Sequence, residues 1–362
     1  MKLDQLRQRL TQIDCDLIRL AKERHDIVAE VGAHKIAHRV PTRDYERERD
    51  VLKGACELAE SIGLDPELAE QIMRLMIRSS LTQQEETRVA AGTEGEGRRV
   101  LVIGGMGQMG AWFVRFLRSQ GYGVEIADPH APEGMPDAVT DWHELELDHD
   151  LVIVAAPIKV TAGILEDLAE RKPKGIVLDI GSLKTPLREG LLALAAAGCR
   201  VTSIHPMFGP DTRLLSGRHV IFVDLGSAEA TAEAKRLFGA TMAEQIDMSL
   251  EEHDRLIAYV LGLSHALNLA FFTALAESGE LVPRLKHMSS TTFDAQLKVA
   301  SLVAYDNPHL YFEIQALNEY GDTSLKALRQ AAERIQALVA TGDEQGFVAL
   351  MDAGRRYLEK KR

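Results

Sequence analysis

Cysteine and aromatic residues are scarce in this chain. Cys15, Cys56 and Cys199 are the three thiols, and Phe, Trp and Tyr make up 5% of the 362 residues. The thiols are far apart, odd in number and without the paired spacing of a metal site, which excludes a disulfide framework and a cysteine-held metal. They read as buried thiols of a reducing compartment, and no metal ligand set is expected. Positive charge is also short: 42 Lys and Arg stand against 54 Asp and Glu, a formal net charge of −12. A nucleic-acid partner, which wants a basic patch, is therefore not expected. Any anionic ligand must be held by locally placed cations, because the overall field repels it. No apolar run is read as approaching the ~18 residues that span a bilayer. The opening "MKLDQLRQRL" lacks the apolar segment of a leader. A cytoplasmic protein with no membrane partner is the expectation.

What is present divides by period. Across 1–90, Leu3, Leu6, Leu10, Ile13, Leu17, Leu20, Ile27 and Val31 keep the three-four spacing of one helical stripe. This predicts a first helix from Lys2 to about His38, roughly 50 Å long at the α-helical rise and longer than a small domain is wide. Its stripe needs a second chain to cover it. Val40-Pro41 breaks the helix; a second is predicted from about Thr42 to Ile62 and a third, after Gly63–Pro66, to about Glu86. Small polar residues and glycines then mark a linker at 91–98. Over 99–247, β-branched runs ("RVLVIG", "YGVEIAD", "DLVIVAAP", "GIVLDIG", "RVTSIHP", "HVIFVDL") alternate with helical stretches, the pattern of a doubly wound parallel sheet. From 248 to 362 the chain reads as helical again, interrupted at Pro283 and Pro308. The fold expected is an all-α three-helix domain, an α/β Rossmann domain and an all-α C-terminal domain.

In "VLVIGGMGQMGAWFVRFL" the segment Gly105-Met106-Gly107-Gln108-Met109-Gly110 has the G-x-G-x-x-G spacing after a strand and opening a helix. Glycines permit the tight turn and the close approach of backbone to a pyrophosphate. Asp128 ends the next strand at about the distance along the chain where a ribose-binding acid is expected. It accepts from ribose hydroxyls and would repel a 2′-phosphate, so NAD is the expected cofactor. Further polar clusters, "DIGSLK" and "IHPMFGPD", follow later strands, at the sheet end where ligands sit.

Two features of the first helix point to an anion. The stripe continued from Leu20 lands on Arg24, and a cation in a seam is costly unless paired. Lys35 shares that face, about 20° round the helix and ~16 Å along it. A small dianion fits between them; a carboxylate from a neighbouring helix is the alternative partner. "RDYERERD", residues 43–50, is charged everywhere but Tyr45. Helical period divides it: Asp44, Arg47 and Glu48 share one face, while Arg43, Glu46, Arg49 and Asp50 read as a solvated face.

The combination of "GGMGQMG", "DIGSLK" and "HPMFGP" resembles the prephenate dehydrogenase family, from about Val100 to the C-terminus. The resemblance implies NAD-dependent oxidative decarboxylation of prephenate to 4-hydroxyphenylpyruvate. His205 matches the catalytic base for the ring hydroxyl, and Ser182 the serine that orients it. "EEHDRLIAYVLGLSHALN" keeps His253-Asp254 and Ser264-His265, the latter two implied at the substrate. Leu302 stands where the family sets an arginine for a substrate carboxylate; Lys298 and Arg213 are the substitutes, and arogenate is the alternative substrate.

Residues 3 to about 86 resemble the all-helical chorismate mutases. That resemblance implies Arg7, Arg24, Lys35, Asp44, Arg47 and Glu48 at the substrate, with Ser80 and Gln84 of "SSLTQQ" beside them. Arg7 lies about 25 Å from Arg24 along the helix, so it should serve the other protomer of an intertwined homodimer, the C-terminal domain being a second dimerisation element. Together the two resemblances imply tyrosine biosynthesis from chorismate through prephenate, with tyrosine as a possible effector. The rival expectations are a helical half that only dimerises or regulates, and a generic NAD-dependent hydroxyacid or imine oxidoreductase.

Overall fold

A computed structural model describes residues 2–360. Three helices open the chain: α1 (Leu3–Ala37), α2 (Tyr45–Ile62) and α3 (Pro66–Ala90). α1 runs through Gly32, a poor helix former, for a packing reason: a Cβ there would stand 3.1 Å from the Gln84 side chain on α3. Asp44 caps α2 by accepting from the Arg47 amide at 2.9 Å, and Asp65 caps α3 just before Pro66. The α1 stripe is uncovered within the chain, Leu3, Leu10, Leu17 and Leu20 each being about 60% exposed.

The α/β part follows as β1 (Arg99–Ile103), α4 (Gln108–Ser119), β2 (Gly123–Ala127), β3 (Ala138–Val139), β4 (Leu151–Val154), α5 (Ile158–Arg171), β5 (Ile176–Asp179), α6 (Arg188–Ala196), β6 (Arg200–Pro206), β7 (His219–Val223), α7 (Ala228–Leu237) and β8 (Glu244–Met248). All six expected strands form. Two were not foreseen, the two-residue β3 and the polar β8, both too weakly apolar to stand out. The sheet order is β3-β2-β1-β4-β5-β6-β7-β8. It reverses direction of growth between β1 and β4, the place where such sheets bind ligands. The all-parallel expectation needs correction at one edge, because β7 pairs antiparallel to β6, with His205 opposite Ile221. Phe113, Leu117, Phe222 and Phe238 pack with strand residues such as Val102 and Ile153 as the core.

The C-terminal helices are α8 (Leu250–Ile257), α9 (Ser264–Glu277), α10 (Val282–His287), α11 (Thr291–Ala304), α12 (Pro308–Ala316), α13 (Gly321–Thr341) and α14 (Glu344–Glu359). Pro283 and Pro308 sit in the first turns of α10 and α12, where their missing N–H is no loss, rather than inside a helix. A π-helical turn, Ala258–Leu263, joins α8 to α9 and re-phases Ser264 and His265 against His253. The continuous run Leu250–Glu277 is long and apolar enough by length and composition to cross a membrane, which corrects the sequence expectation. It carries the fully buried His253 and Asp254, hydrogen-bonded to protein groups, while 28% of its most apolar stretch is buried. The thiols also depart from expectation: Cys15 is exposed, and Cys56 and Cys199 are only half-buried.

The chain forms two compact units. One comprises 1–156, 164–180 and 191–247; the other comprises 157–163, 181–190 and 248–362. The three helices and the sheet thus share a unit, although a linker separates them in sequence. What joins them is the loop between β6 and β7, together with the turn before β8 that carries Met242. The Glu85 carboxylate of α3, 2% exposed, accepts the Leu215 amide at 2.6 Å and the Met242 amide at 2.5 Å. Arg213 forks onto Glu86 at 2.9 and 3.1 Å, and Trp112 Nε1 donates to the Thr212 carbonyl at 2.9 Å. Burial pushes the Glu85 carboxyl up against the lowering effect of those two amides. Glu85→Ala orphans both amides and is expected to lower unfolding free energy by about 2–3 kcal/mol, read from urea denaturation; an unchanged midpoint would remove Glu85 as a fastener.

Candidate active sites

The helical part contains a cavity of about 470 Å³ whose walls include Arg24, Lys35, Asp44, Arg47, Glu48, Ser80 and Gln84. Seven residues chosen from spacing and resemblance therefore surround one space. α1 supplies Arg24 and Lys35, the start of α2 supplies the acidic and Arg47 side, and α3 supplies Ser80 and Gln84. The alternative partner for Arg24 is settled: Nη1 donates to Ser80 Oγ at 2.5 Å and to the Met76 carbonyl at 3.2 Å. Both are neutral oxygens, so the charge stays available to an anion. Lys35 is held similarly, its Nζ donating to the Thr42 carbonyl at 2.6 Å. Gln84 is buried, and its Oε1 makes no hydrogen bond among the described residues. The neighbouring Gln83 lines a different cavity, with Arg78 and Arg213. Arg7 is not brought here; it is exposed and lies 3.8 Å from Asp4.

Arg43 corrects the sequence reading. Instead of a solvated side chain, it forks onto both Glu48 oxygens at 2.9 and 3.0 Å and donates from Nη1 to Ser216 Oγ at 2.7 Å. Helical arithmetic missed it because Arg43 precedes the N-cap. Glu46, Arg49 and Asp50 are exposed as expected.

In the sheet, Gly104–Gly110 turns tightly between β1 and α4. Gly104 has φ +84°, and a Cβ on Gly110 would stand 2.1 Å from the Gly104 carbonyl oxygen. Only glycine fits there. Gly107 is the N-cap of α4 and gives no side-chain cap, so the helix N-terminus stays open to an anion. Met106, Gln108 and Met109 flank these glycines, Met106 exposed above the turn and Met109 packed against the core. Asp128 follows β2, with Oδ2 accepting the Met106 amide at 3.0 Å and Oδ1 the His130 amide at 2.9 Å. The His130 ring Nδ1 also stands 3.3 Å from Oδ1; a carboxylate has about four acceptor positions, so one remains for a ribose hydroxyl. The tight turn, the open helix end and the acid fit a dinucleotide. His205 is near the carboxyl end of β6 and 5% exposed.

In the second unit, Asp254 organises the segment that carries Ser182. Its Oδ1 accepts from His253 Nδ1 at 2.6 Å and from the Lys184 amide at 2.8 Å, and its Oδ2 accepts from the Thr185 amide and hydroxyl. Ser182 Oγ is buried without a partner among the described residues. Ser264 opens α9, and His265 stacks on Tyr311 with ring centroids 4.1 Å apart. Burial lowers the His265 pKa, so at neutral pH the ring is a neutral donor or acceptor rather than a cation. Tyr311, half-buried and facing Asp306, is pushed up to about 12. Lys298 is exposed on α11 and Leu302 is 71% exposed, while Gln296 of that helix reaches Asn268 at 2.8 Å. Arg213, the other proposed carboxylate partner, is committed to Glu86.

Desolvation raises the Asp254 pKa, but the hydrogen bonds from His253, Thr185 and Lys184 outweigh it, and the net shift is downward. A depressed carboxyl contributes stability above its unfolded value, about 3.9, and loses it as pH falls through the folded value. Asp254→Asn is therefore expected to be less stable than wild type at pH 7, the gap closing below about pH 4. Urea midpoints across that range check this; a gap independent of pH would refute it.

Three family models match the chain: chorismate mutase type II over residues 6–85, the nucleotide-binding domain of prephenate dehydrogenase over 114–246, and its dimerization domain over 249–353. The T-protein of Enterobacter agglomerans is 30% identical over 372 aligned positions, covering 100% of this chain and 96% of that protein. The T-protein of Haemophilus influenzae is 26% identical, covering 96% of this chain and 89% of its own length. Among solved structures, a prephenate dehydrogenase from A. aeolicus, in complex with hydroxyphenyl propionate and NAD+, superposes with a TM-score of 0.56 at 22% identity. It covers 72% of this chain and 98% of that one, and shows a shared fold.

Proposed function

The chain belongs to the T-protein family, a chorismate mutase joined to a prephenate dehydrogenase, and from that premise we propose how its residues divide the work. The chain is an isomerase and an NAD-dependent oxidoreductase of tyrosine biosynthesis, converting chorismate to prephenate and prephenate to 4-hydroxyphenylpyruvate. The observation that carries the residue assignment is Arg24, a half-buried cation on the cavity wall whose hydrogen-bond partners among the described residues are the neutral oxygens of Ser80 and Met76.

The rearrangement is pericyclic and needs no nucleophile. Arg24 and Arg47 hold the carboxylates of chorismate in its compact conformer, and Ser80 and Asp44 complete the wall. Lys35 and the Gln84 amide meet the ether oxygen, where negative charge develops as the C–O bond breaks. Glu48 accepts from the substrate hydroxyl. Arg7 completes the cavity of a second protomer; the exposed α1 stripe supports such a homodimer.

For the oxidation, the glycine turn and Asp128 hold NAD, which when bound supplies the hydride acceptor. His205 accepts the proton of the ring hydroxyl, work suited to an imidazole near pH 7. Ser182, Ser264 and His265 orient the substrate, and loss of CO₂ restores aromaticity. Catalytic division follows 1–90 for the mutase, 91–98 as connector, 99–247 for NAD and 248–362 for substrate and dimerisation. The cytoplasm is the proposed compartment, and tyrosine, the pathway's end product, the proposed effector.

With chorismate and NAD, the purified chain is expected to consume chorismate and form NADH. Lys35→Ala should lower mutase kcat/KM at least ~100-fold and leave oxidation of added prephenate within about twofold; His205→Asn should do the reverse, losing ~100-fold or more of oxidation. If His205→Asn still oxidised prephenate at the wild-type rate, the assignment of the base would be wrong. Arogenate, offered in parallel because Leu302 replaces an arginine, should be the poorer substrate.

A further inference from the structure

The Arg43 fork lies outside every role assigned so far. Glu48 is on the first turn of α2, a long acidic side chain facing a cavity that also holds Arg24, Lys35 and Arg47. Left alone, its carboxylate would be drawn to those cations and would compete with the substrate's own carboxylates. Arg43 prevents this. Both Glu48 oxygens are engaged in plane by Nε and Nη2, a two-point contact that fixes orientation as well as position. The side chains are 29% and 19% exposed, less screened than a surface pair.

Arg43 is in turn anchored from the sheet. Ser216 Oγ accepts its third N–H, and the loop carrying Ser216 is pinned on the same side by Leu215 to Glu85 and by Arg213 to Glu86. Consecutive residues of α3 thus face two ways. Gln84 lines the cavity, and Glu85 fastens the loop that begins directly after the strand bearing His205.

We propose that Arg43 is a positioning residue for the chorismate rearrangement, holding Glu48 at the cavity wall, and that Ser216 of the β6–β7 loop sets Arg43, so that the dehydrogenase half supplies part of the mutase geometry. This rests on the mutase reading of the cavity.

The test uses the full chain, measuring chorismate consumption and prephenate oxidation separately, with thermal midpoints alongside. Ser216→Ala is expected to lower mutase kcat/KM about 3- to 10-fold, the loss of one hydrogen bond. Arg43→Ala should lower it about 10- to 100-fold, mainly in kcat, with Arg43→Lys only partly restoring it. Ser216→Thr, which keeps the hydroxyl, should retain activity. The double variant should be no worse than Arg43→Ala, because Ser216 acts through Arg43. Prephenate oxidation should stay within about twofold of wild type throughout.

Three results would overturn the proposal: mutase activity unaltered in both single variants, losses that multiply in the double variant, or mutase, oxidation and thermal midpoint falling together. A wild-type chain that consumed no chorismate would instead sink the mutase reading, and the proposal with it.

Discussion

The Glu85 carboxylate, buried between α3 and the β6–β7 loop, is the contact on which the first unit turns. A lone buried carboxylate is expensive, and this one is tolerated because two backbone amides, of Leu215 and Met242, point at its two oxygens. The same two bonds satisfy loop amides that would otherwise be orphaned. Beside them Ser216 meets Arg43 and Arg213 meets Glu86, so a single buried anion sits in a row of contacts between the helical part and the loop after β6, which Trp112 of α4 also holds through Thr212. A glycine-rich connector alone would leave those parts independent.

A second constraint is electrostatic. A chain with a formal net charge of −12 works on anionic substrates. The helical cavity meets this by placing Arg24 and Lys35 against the neutral oxygens of Ser80, Met76 and Thr42, which orients each cation without neutralising it. Two of the acids nearby are otherwise engaged: Glu48 by Arg43, and Asp44 by the Arg47 amide. The dinucleotide loop follows another route, offering backbone N–H groups at a helix end instead of side-chain charge. Asp254 shows the inverse case, an anion used for structure, with every oxygen engaged by the segment bearing Ser182.

Much of this was legible in the sequence because the relevant periods are short. Helical spacing placed Arg24 and Lys35 on one face, the chorismate mutase resemblance added Ser80 and Gln84, and one cavity joins them. The G-x-G-x-x-G turn and its following acid were readable because only glycine can make that close approach. Arg43 was misread for a definite reason. It precedes the α2 N-cap, so no helical period relates it to Glu48, and its other partner lies far along the chain. The antiparallel β7, the short β3 and the polar β8 escaped for the same kind of reason: strand direction and edge pairing depend on neighbours, not on local pattern.

By itself, the sequence determined the elements, the three-part order, the glycine turn and the cations of the helical cavity, because helix and strand periods and the steric needs of glycine are local properties. Only the tertiary structure decided which charges are spent and which are free. Arg213 is taken by Glu86, Arg43 by Glu48 and Ser216, and Arg24 by no charged group among the described residues. That outcome depends on which distant groups meet in space, and a side chain's partners are fixed by packing that no local period encodes.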